Sequence, residues 1–291
     1  RRVLFRSDVE RFEPLWLPFD HPLWIVYSSG TTGLPKPIVH GHGGMVLVQM
    51  QLGALHNDLG CSYAPNSLGE RYHWYSSTGW VMWNAQVGGL LAGTTCVIFD
   101  GNPGGSKEHP DWATLWRFAS ETGVTFFGAG AAFYAACMKA GITPQDCGDL
   151  SRIRVLGSTG SPLSAEVQQW GTRFMAHAGA IAGRADGIWW CNISGGTDFA
   201  GAFIGGNREL PQTPGKMQCR MLGAAVEAWD AQGRPVLDAV GELVCTQPIP
   251  SMPLFLWNDP GGERYLASYF DMYPAGHGRK PGGGDGPAAM G

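Results

Sequence analysis

Charge is scarce in this chain. Asp, Glu, Lys and Arg make up only 15% of its 291 residues, and 20 basic against 24 acidic side chains leave a net charge of −4. That balance provides no basic groove for nucleic acid and no cationic face for an anionic bilayer, so neither is expected as a partner. No apolar run reaches the roughly 18 residues that would cross a membrane. The longest greasy stretch, VGGLLAGTTCVIF (87–99), is interrupted by glycines and threonines and reads as core. No secretory leader is visible and no CxxC pair occurs. The seven cysteines (Cys61, Cys96, Cys137, Cys147, Cys191, Cys219 and Cys245) lie far apart, several of them in apolar segments. Reduced core thiols and a cytoplasmic location are expected. Ser-His-Asp and Cys-His patterns are missing too, which leaves no candidate for covalent catalysis by a side chain. His40 and His42 flank Gly41, but no Cys, His or acidic cluster completes a metal-ligand spacing, so a loop role is expected for both.

What is present is a large core and a regular alternation. With 44% hydrophobic residues the chain is long enough for one large domain or two lobes. LWIVY (23–27) reads as a strand, and Met45, Val48, Leu52, Leu55 and Leu59 then recur at helical spacing. TTCVIF (94–99) is a second strand. Asp111 is placed to cap a helix that buries Trp112, Leu115, Trp116 and Ala119 and stops at Gly123. VTFFGA leads into a helix through about Lys139. RIRVLGSTG is strand and turn, Ser161 and Pro162 open a helix carrying Leu163, Val167, Trp170 and Phe174, and IWWCNIS is again a strand. After Thr213 the texture changes to short strands and turns. The predicted class is α/β, mostly parallel sheet layers with flanking helices plus a small β-rich subdomain. The expected divisions are 8–212 for the α/β part, 213–274 for the β-rich part of the same domain, and 275–291 as a Gly/Pro-rich disordered tail. The arginine-rich start (1–6) and this tail are expected to lie outside the natural domain. No internal repeat is found.

The stretch with the clearest chemistry is YSSGTTGLPK (27–36). Ser28, Ser29, Thr31 and Thr32 supply hydroxyls, Gly30 and Gly33 free the backbone, and Lys36 adds a point charge. A strand, such a loop and then a helix commonly cradle phosphate through inward N–H groups. It is not the GxxxxGK[ST] loop, because Lys36 is followed by Pro37. Taken alone, a turn rich in Ser, Thr and Gly is also an ordinary loop.

The whole string resembles the signature loop of the acyl-adenylate-forming superfamily, and further matches follow in the family's order over about residues 8–274. GSTGSPL (157–163) is similar to the turn bordering adenine, which implies ATP contacts from Gly157, Ser158, Gly160, Ser161 and Pro162. NISGGTD (192–198) is similar to the motif that usually reads aromatic-Gly-x-Thr-Glu. By that resemblance Asn192, Ile193, Ser194, Gly195, Gly196 and Thr197 border ATP, Thr197 and Asp198 act on the α-phosphate, and Asp198 binds Mg2+. Asp for Glu keeps a hard oxygen ligand with a shorter reach, and Ser194 replaces an aromatic residue that stacks on adenine. GELVCTQPIPSMP (241–253) is similar to the family's later β-rich segment.

The resemblance implies a catalytic set of Lys36, Thr197 and Asp198, with Ser28, Ser29, Gly30, Thr31, Thr32, Gly33 and Lys36 on the distal phosphates. It places Trp80, Val81, Met82 and Trp83 along the acyl pocket, with Gly195 at the wall position where a short-acid relative carries tryptophan, which implies room for a longer acid. The implied reaction is ATP-dependent activation of a short carboxylic acid, acetoacetate in the branch whose strings match best, followed by transfer to coenzyme A. The small C-terminal lid of that family and its ribose-binding aspartate have no match before residue 291, so the fragment alone is expected to be inactive. A nucleotide-binding remnant and a domain that loads a carrier protein remain as alternatives.

Overall fold

The computed structural model of the protein describes residues 13–29, 35–60, 69–175 and 187–273. Cys61, the arginine-rich start and the 275–291 tail therefore lie outside the described residues.

Five parallel strands form the central sheet. They are β3 (Arg71–Trp74), β4 (Thr95–Cys96), β5 (Phe126–Gly130), β6 (Val155–Thr159) and β7 (Trp189–Asn192), in the order β4-β3-β5-β6-β7. Their side chains alternate between two cores, as a sheet covered on both faces requires. Phe127, Leu156 and Trp190 point into one core and Phe126, Val155 and Trp189 into the other. The first core is built on α3 (Thr114–Thr122), α4 (Ala131–Lys139) and α5 (Ala165–Phe174). Trp116 is its centre, fully buried and stacked 4.7 Å from the Phe127 ring. The second core packs Tyr72 and Trp74 of β3 against Phe126. Gly157 must lack a side chain, since a Cβ there would come within 2.5 Å of the Trp74 ring.

Three antiparallel sheets surround this unit. β1 (Pro22–Ser28) pairs with β2 (Lys36–Gly41), and β2 pairs with the later β14 (Phe255–Leu256). β8 (Ser194–Gly196), β9 (Gly201–Gly205) and β10 (Cys219–Arg220) form a second sheet, and β11 (Val226–Trp229), β12 (Pro235–Val236) and β13 (Glu242–Cys245) a third. The helices near the site are α1 (His42–Gln51), continued by a wide turn over Leu52–His56, and α2 (Val81–Gly88). α6 (Glu263–Tyr269) follows the last strand.

Several expectations change. The glycine-rich loop does not enter a helix: it joins β1 to the antiparallel β2, and α1 begins only at His42. The fifth α-helix begins at Ala165, three residues after Pro162, and the capping hydroxyl is Ser164, which accepts from the Val167 N–H. Of TTCVIF only Thr95–Cys96 pair with β3, because β4 is an edge strand. Leu55 is exposed and Leu59 falls beyond the helix, although Met45, Val48, Leu52 and Leu59 are buried as their spacing implies. The six described cysteines are free thiols. Among the described residues no helix is long and apolar enough to cross a membrane.

Candidate active site: a three-part crevice

The C-terminal ends of β6 and β7, the β8–β9 turn and the β1–β2 hairpin converge on one crevice. Register places Ser28 directly opposite Lys36 across the hairpin, and both reach the carboxylate of Asp198 in the β8–β9 turn. Lys36 Nζ lies 2.5 Å from Asp198 Oδ1, Ser28 Oγ donates to the same oxygen at 3.2 Å, and Tyr269 Oη donates to it at 2.7 Å. The lysine also sits 4.6 Å above the Tyr269 ring centroid, in cation–π range. All three polar contacts to Asp198 fall on Oδ1.

Burial opposes ionisation of Asp198. The bonds from Lys36 and Tyr269, the lysine charge and the Ser28 bond outweigh it and hold the carboxyl below the usual carboxylate range. Burial, then the Asp198 charge, pushes the Tyr269 phenol far up, so Tyr269 stays a donor. His40 is no loop residue. It is fully buried in β2, with Nδ1 3.0 Å from the Ser251 carbonyl and Nε2 3.1 Å from that of Thr197. Burial lowers its pKa against these two carbonyls and Asp198. Its ring ties the Thr197–Asp198 turn to the 249–252 segment. His42 is likewise not in a loop but starts α1, within 3.0 Å of the His21 carbonyl.

On one side of this polar centre lies a cavity of about 290 Å³ lined by Ser158, Gly160, Ser161, Pro162, Asn192, Ile193, Ser194 and Gly195, with Lys216 and Met217 across from them. Two buried atoms here lack partners among the described residues, Ser158 Oγ and Asn192 Oδ1. A donor and an acceptor on a flat, backbone-rich wall fit a heterocyclic base. The central cavity, about 450 Å³, holds Ser28, Ser29, Trp80, Val81, Met82, Gly196, Thr197 and Asp198, and shares Gly160, Ile193 and Gly195 with the first. A third cavity of about 280 Å³, mostly apolar, continues past Val81, Met82, Ile193 and Gly201 between α1, α2 and the β8–β9 turn. The crevice thus runs from a polar end through an ionic centre to an apolar end.

The structure brings most of the predicted site residues together here. Among the described ones, Gly157, Lys36 and Trp83 line none of the three cavities: Gly157 lies beneath Trp74, Lys36 reaches the centre through its contact with Asp198, and Trp83 is not brought to the crevice wall. Gly30, Thr31, Thr32 and Gly33 lie outside the described residues. Gly195 borders the first two cavities, but its absent side chain would point elsewhere: a Cβ would meet the Gly201 carbonyl oxygen at 2.2 Å and Ala202 Cα at 2.9 Å. Sequence reasoning missed Tyr269, which lies 71 residues from Asp198. Its only signal was its place in SYFDMYP, the final stretch before the resemblance ends.

The family model for AMP-binding enzymes matches residues 5–252. The chain belongs to that family. It is 41% identical over 257 residues to the acetoacetyl-coenzyme A synthetase of Rhizobium meliloti, and 37% identical over 258 residues to the acetoacetyl-CoA synthetase of Rattus norvegicus. These alignments take in 88% and 89% of this chain but only 36% and 35% of the relatives. Among solved structures, acetoacetyl-CoA synthetase from Streptomyces lividans superposes with a TM-score of 0.77 at 46% identity, over 90% of this chain and 38% of that one. The chain therefore spans little more than a third of the length of these relatives.

Proposed function

We propose that this chain forms the central part of an acid–thiol ligase that activates acetoacetate, or a similar short acid, as an acyl adenylate and passes the acyl group to coenzyme A. The observation that carries the reading is the continuity of the crevice. A base-sized polar cavity, a charged centre and an apolar cavity lie in the order adenine, phosphate and acyl chain, in a chain related to acetoacetyl-CoA synthetases.

A carboxylate is a poor acyl donor because its leaving group would be oxide. Joining it to AMP supplies a good one. In this site the adenine lies against Ser158, Gly160, Asn192 and Ser194. The acid enters from the Val81–Met82 side and sets its carboxylate oxygen in line with the α-phosphorus near Thr197. Lys36 meets the charge that grows on the phosphate oxygens as pyrophosphate leaves, and its neighbours Ser28 and Ser29 add hydroxyl donors at the hairpin. The family resemblance assigns Gly30, Thr31, Thr32 and Gly33 to the same phosphates. To meet that charge, Lys36 exchanges its pairing with Asp198 for the nucleotide. No side chain acts as nucleophile. The thiol of coenzyme A attacks the carbonyl, and AMP departs.

The donor set also fits magnesium. Asp198 is one hard carboxylate whose three contacts fall on a single oxygen, and a magnesium ion commonly takes one or two carboxylates with phosphates and water completing its shell. When bound it would neutralise phosphate charge. We assign residues 8–212 and 213–274 to one domain, because β10 pairs with β9 and β14 pairs with β2 across that division. A cytoplasmic location accords with six free thiols. The test is acetoacetate-dependent exchange of label between pyrophosphate and ATP by the full-length protein, together with AMP release that requires free coenzyme A. Exchange without thiol-dependent release would favour carrier loading, and no exchange would leave a binding remnant.

A further inference from the structure

The apolar end of the crevice contains two polar groups that nothing in the fold uses. Tyr72, on β3, and Gln49, in the last turns of α1, both line it and are 1% and 8% exposed. Neither Tyr72 Oη nor Gln49 Nε2 has a hydrogen-bond partner among the described residues. Buried donors are almost always satisfied, because leaving one unpaired is destabilising. Two in one cavity otherwise walled by residues such as Leu52, Leu59, Met82 and Ala85 is an arrangement that packing alone does not explain. The Tyr72 ring is fixed edge-on against Phe126 at 5.1 Å, so its hydroxyl has a set position. Burial, with lesser contributions from Cys191 and Cys96, pushes the phenol far above its usual range, and it remains a donor.

This cavity shares Val81, Met82, Ile193 and Gly201 with the central one that contains Thr197 and Asp198. A chain running away from an activated carboxylate past Val81 and Met82 enters it. A saturated chain would leave both donors unpaired, whereas an oxygen substituent accepts from them. We propose that Tyr72 and Gln49 are specificity-determining residues that select oxo acids over saturated acids of the same length. This rests on the reading of the crevice as an acid-activating site.

The test compares acetoacetate with butyrate in ATP–pyrophosphate exchange by the full-length protein, as wild type, Tyr72→Phe and Gln49→Leu. The ratio of kcat/KM for acetoacetate to that for butyrate should fall at least about tenfold in each variant, through loss on acetoacetate. The Tm of Tyr72→Phe should not drop, since the hydroxyl removed has no partner. A ratio within twofold of wild type in both variants, or equal losses on both acids with a lowered Tm, would overturn the assignment. If the wild type exchanges with neither acid, the proposed function fails on its own. The same ratio is then read by ligand-observed NMR of the two acids binding to wild type and variants, where an unchanged preference overturns this inference and a lost one supports it.

Discussion

The two ends of the crevice are made from different material. The polar end, proposed to take the nucleotide, is built from strand ends and turns of β6 and β7, where small residues expose backbone and where Ser158 and Asn192 keep polar atoms unpaired among the described residues. The apolar end is built largely from helix faces of α1 and α2, where aliphatic side chains enclose space and the polar groups of Tyr72, Gln49 and Asn57 interrupt them. A common substrate such as ATP needs directional hydrogen bonds at fixed points, which rigid strand ends supply. An enclosed apolar volume can be reset by exchange of side chains on α1 and α2 without disturbing the sheet. The centre, where Lys36, Ser28 and Tyr269 meet Asp198, belongs to neither end and serves both.

The largest effect should come from breaking that centre. Lys36→Ala should lower ATP–pyrophosphate exchange by about ten- to a thousandfold, the range expected for removing a preorganised donor. Lys36 proves to be a strand residue paired with a part-buried carboxylate, so its loss also leaves Asp198 without a cation. Thermal melts should then show a drop of about 1–2 kcal/mol, less than for a fully buried pair. Exchange within twofold of wild type would remove Lys36 from the chemistry.

Next comes the joint between the centre and the two ends. Gly195→Ala forces a methyl toward the Gly201 carbonyl and should cost about 1–3 kcal/mol by overpacking, read as a fall in denaturant midpoint. The β8–β9 pair would have to open before any larger side chain at Gly195 could wall the acyl cavity. Unchanged stability of Gly195→Ala would show that the pair is more pliable than its geometry implies.

Tyr269→Phe sharpens the comparison by leaving both ends intact. It removes one donor from Asp198, whose carboxyl then rises from its lowered position. A group with a lowered folded-state pKa contributes stability above its unfolded pKa and loses it as pH falls through the folded value. The variant should therefore lose exchange activity at a higher pH than wild type on the acid side, with about a tenfold lower rate near neutrality. An acid limb that does not move would separate Tyr269 from Asp198 ionisation.

The smallest effect tests the nucleotide end alone. Asn192→Ala removes an acceptor without a protein partner, so ATP should bind about three- to tenfold more weakly while the preference between acids stays fixed. Calorimetric titration reads the first and the exchange ratio the second. A changed acid preference would show that the two ends are not independent.

The parallel sheet was legible because FFGA, RVLGST and WWCN alternate faces and carry two cores at once. Trp116 and its neighbours were legible for the same reason, since helical spacing put them on one face. The hairpin was not. YSSGTTGLPK has the composition of a phosphate loop before a helix, and only the β-branched pair Ile38–Val39 marks the strand that follows. The helix start was misplaced because Ser161–Pro162 has the chemistry of a cap, while the fold uses that turn to wall the nucleotide cavity and leaves capping to Ser164. The motif residues Lys36, Thr197 and Asp198 could be read one by one. Their links to His40 and Tyr269 could not, because contacts across 157 and 71 residues leave no periodic trace.

The central claim is that the acid meets the nucleotide at its α-phosphorus, between the ionic centre and the apolar cavity. The most direct measurement uses acetoacetate labelled with oxygen-18 in its carboxylate, turned over by the full-length protein with ATP and coenzyme A. Attack by a carboxylate oxygen on the α-phosphorus, followed by thiol attack on the carbonyl, leaves that oxygen on AMP. The account predicts one labelled oxygen in AMP and none in pyrophosphate. Label in pyrophosphate or inorganic phosphate, or unlabelled AMP alongside the thioester, would contradict it.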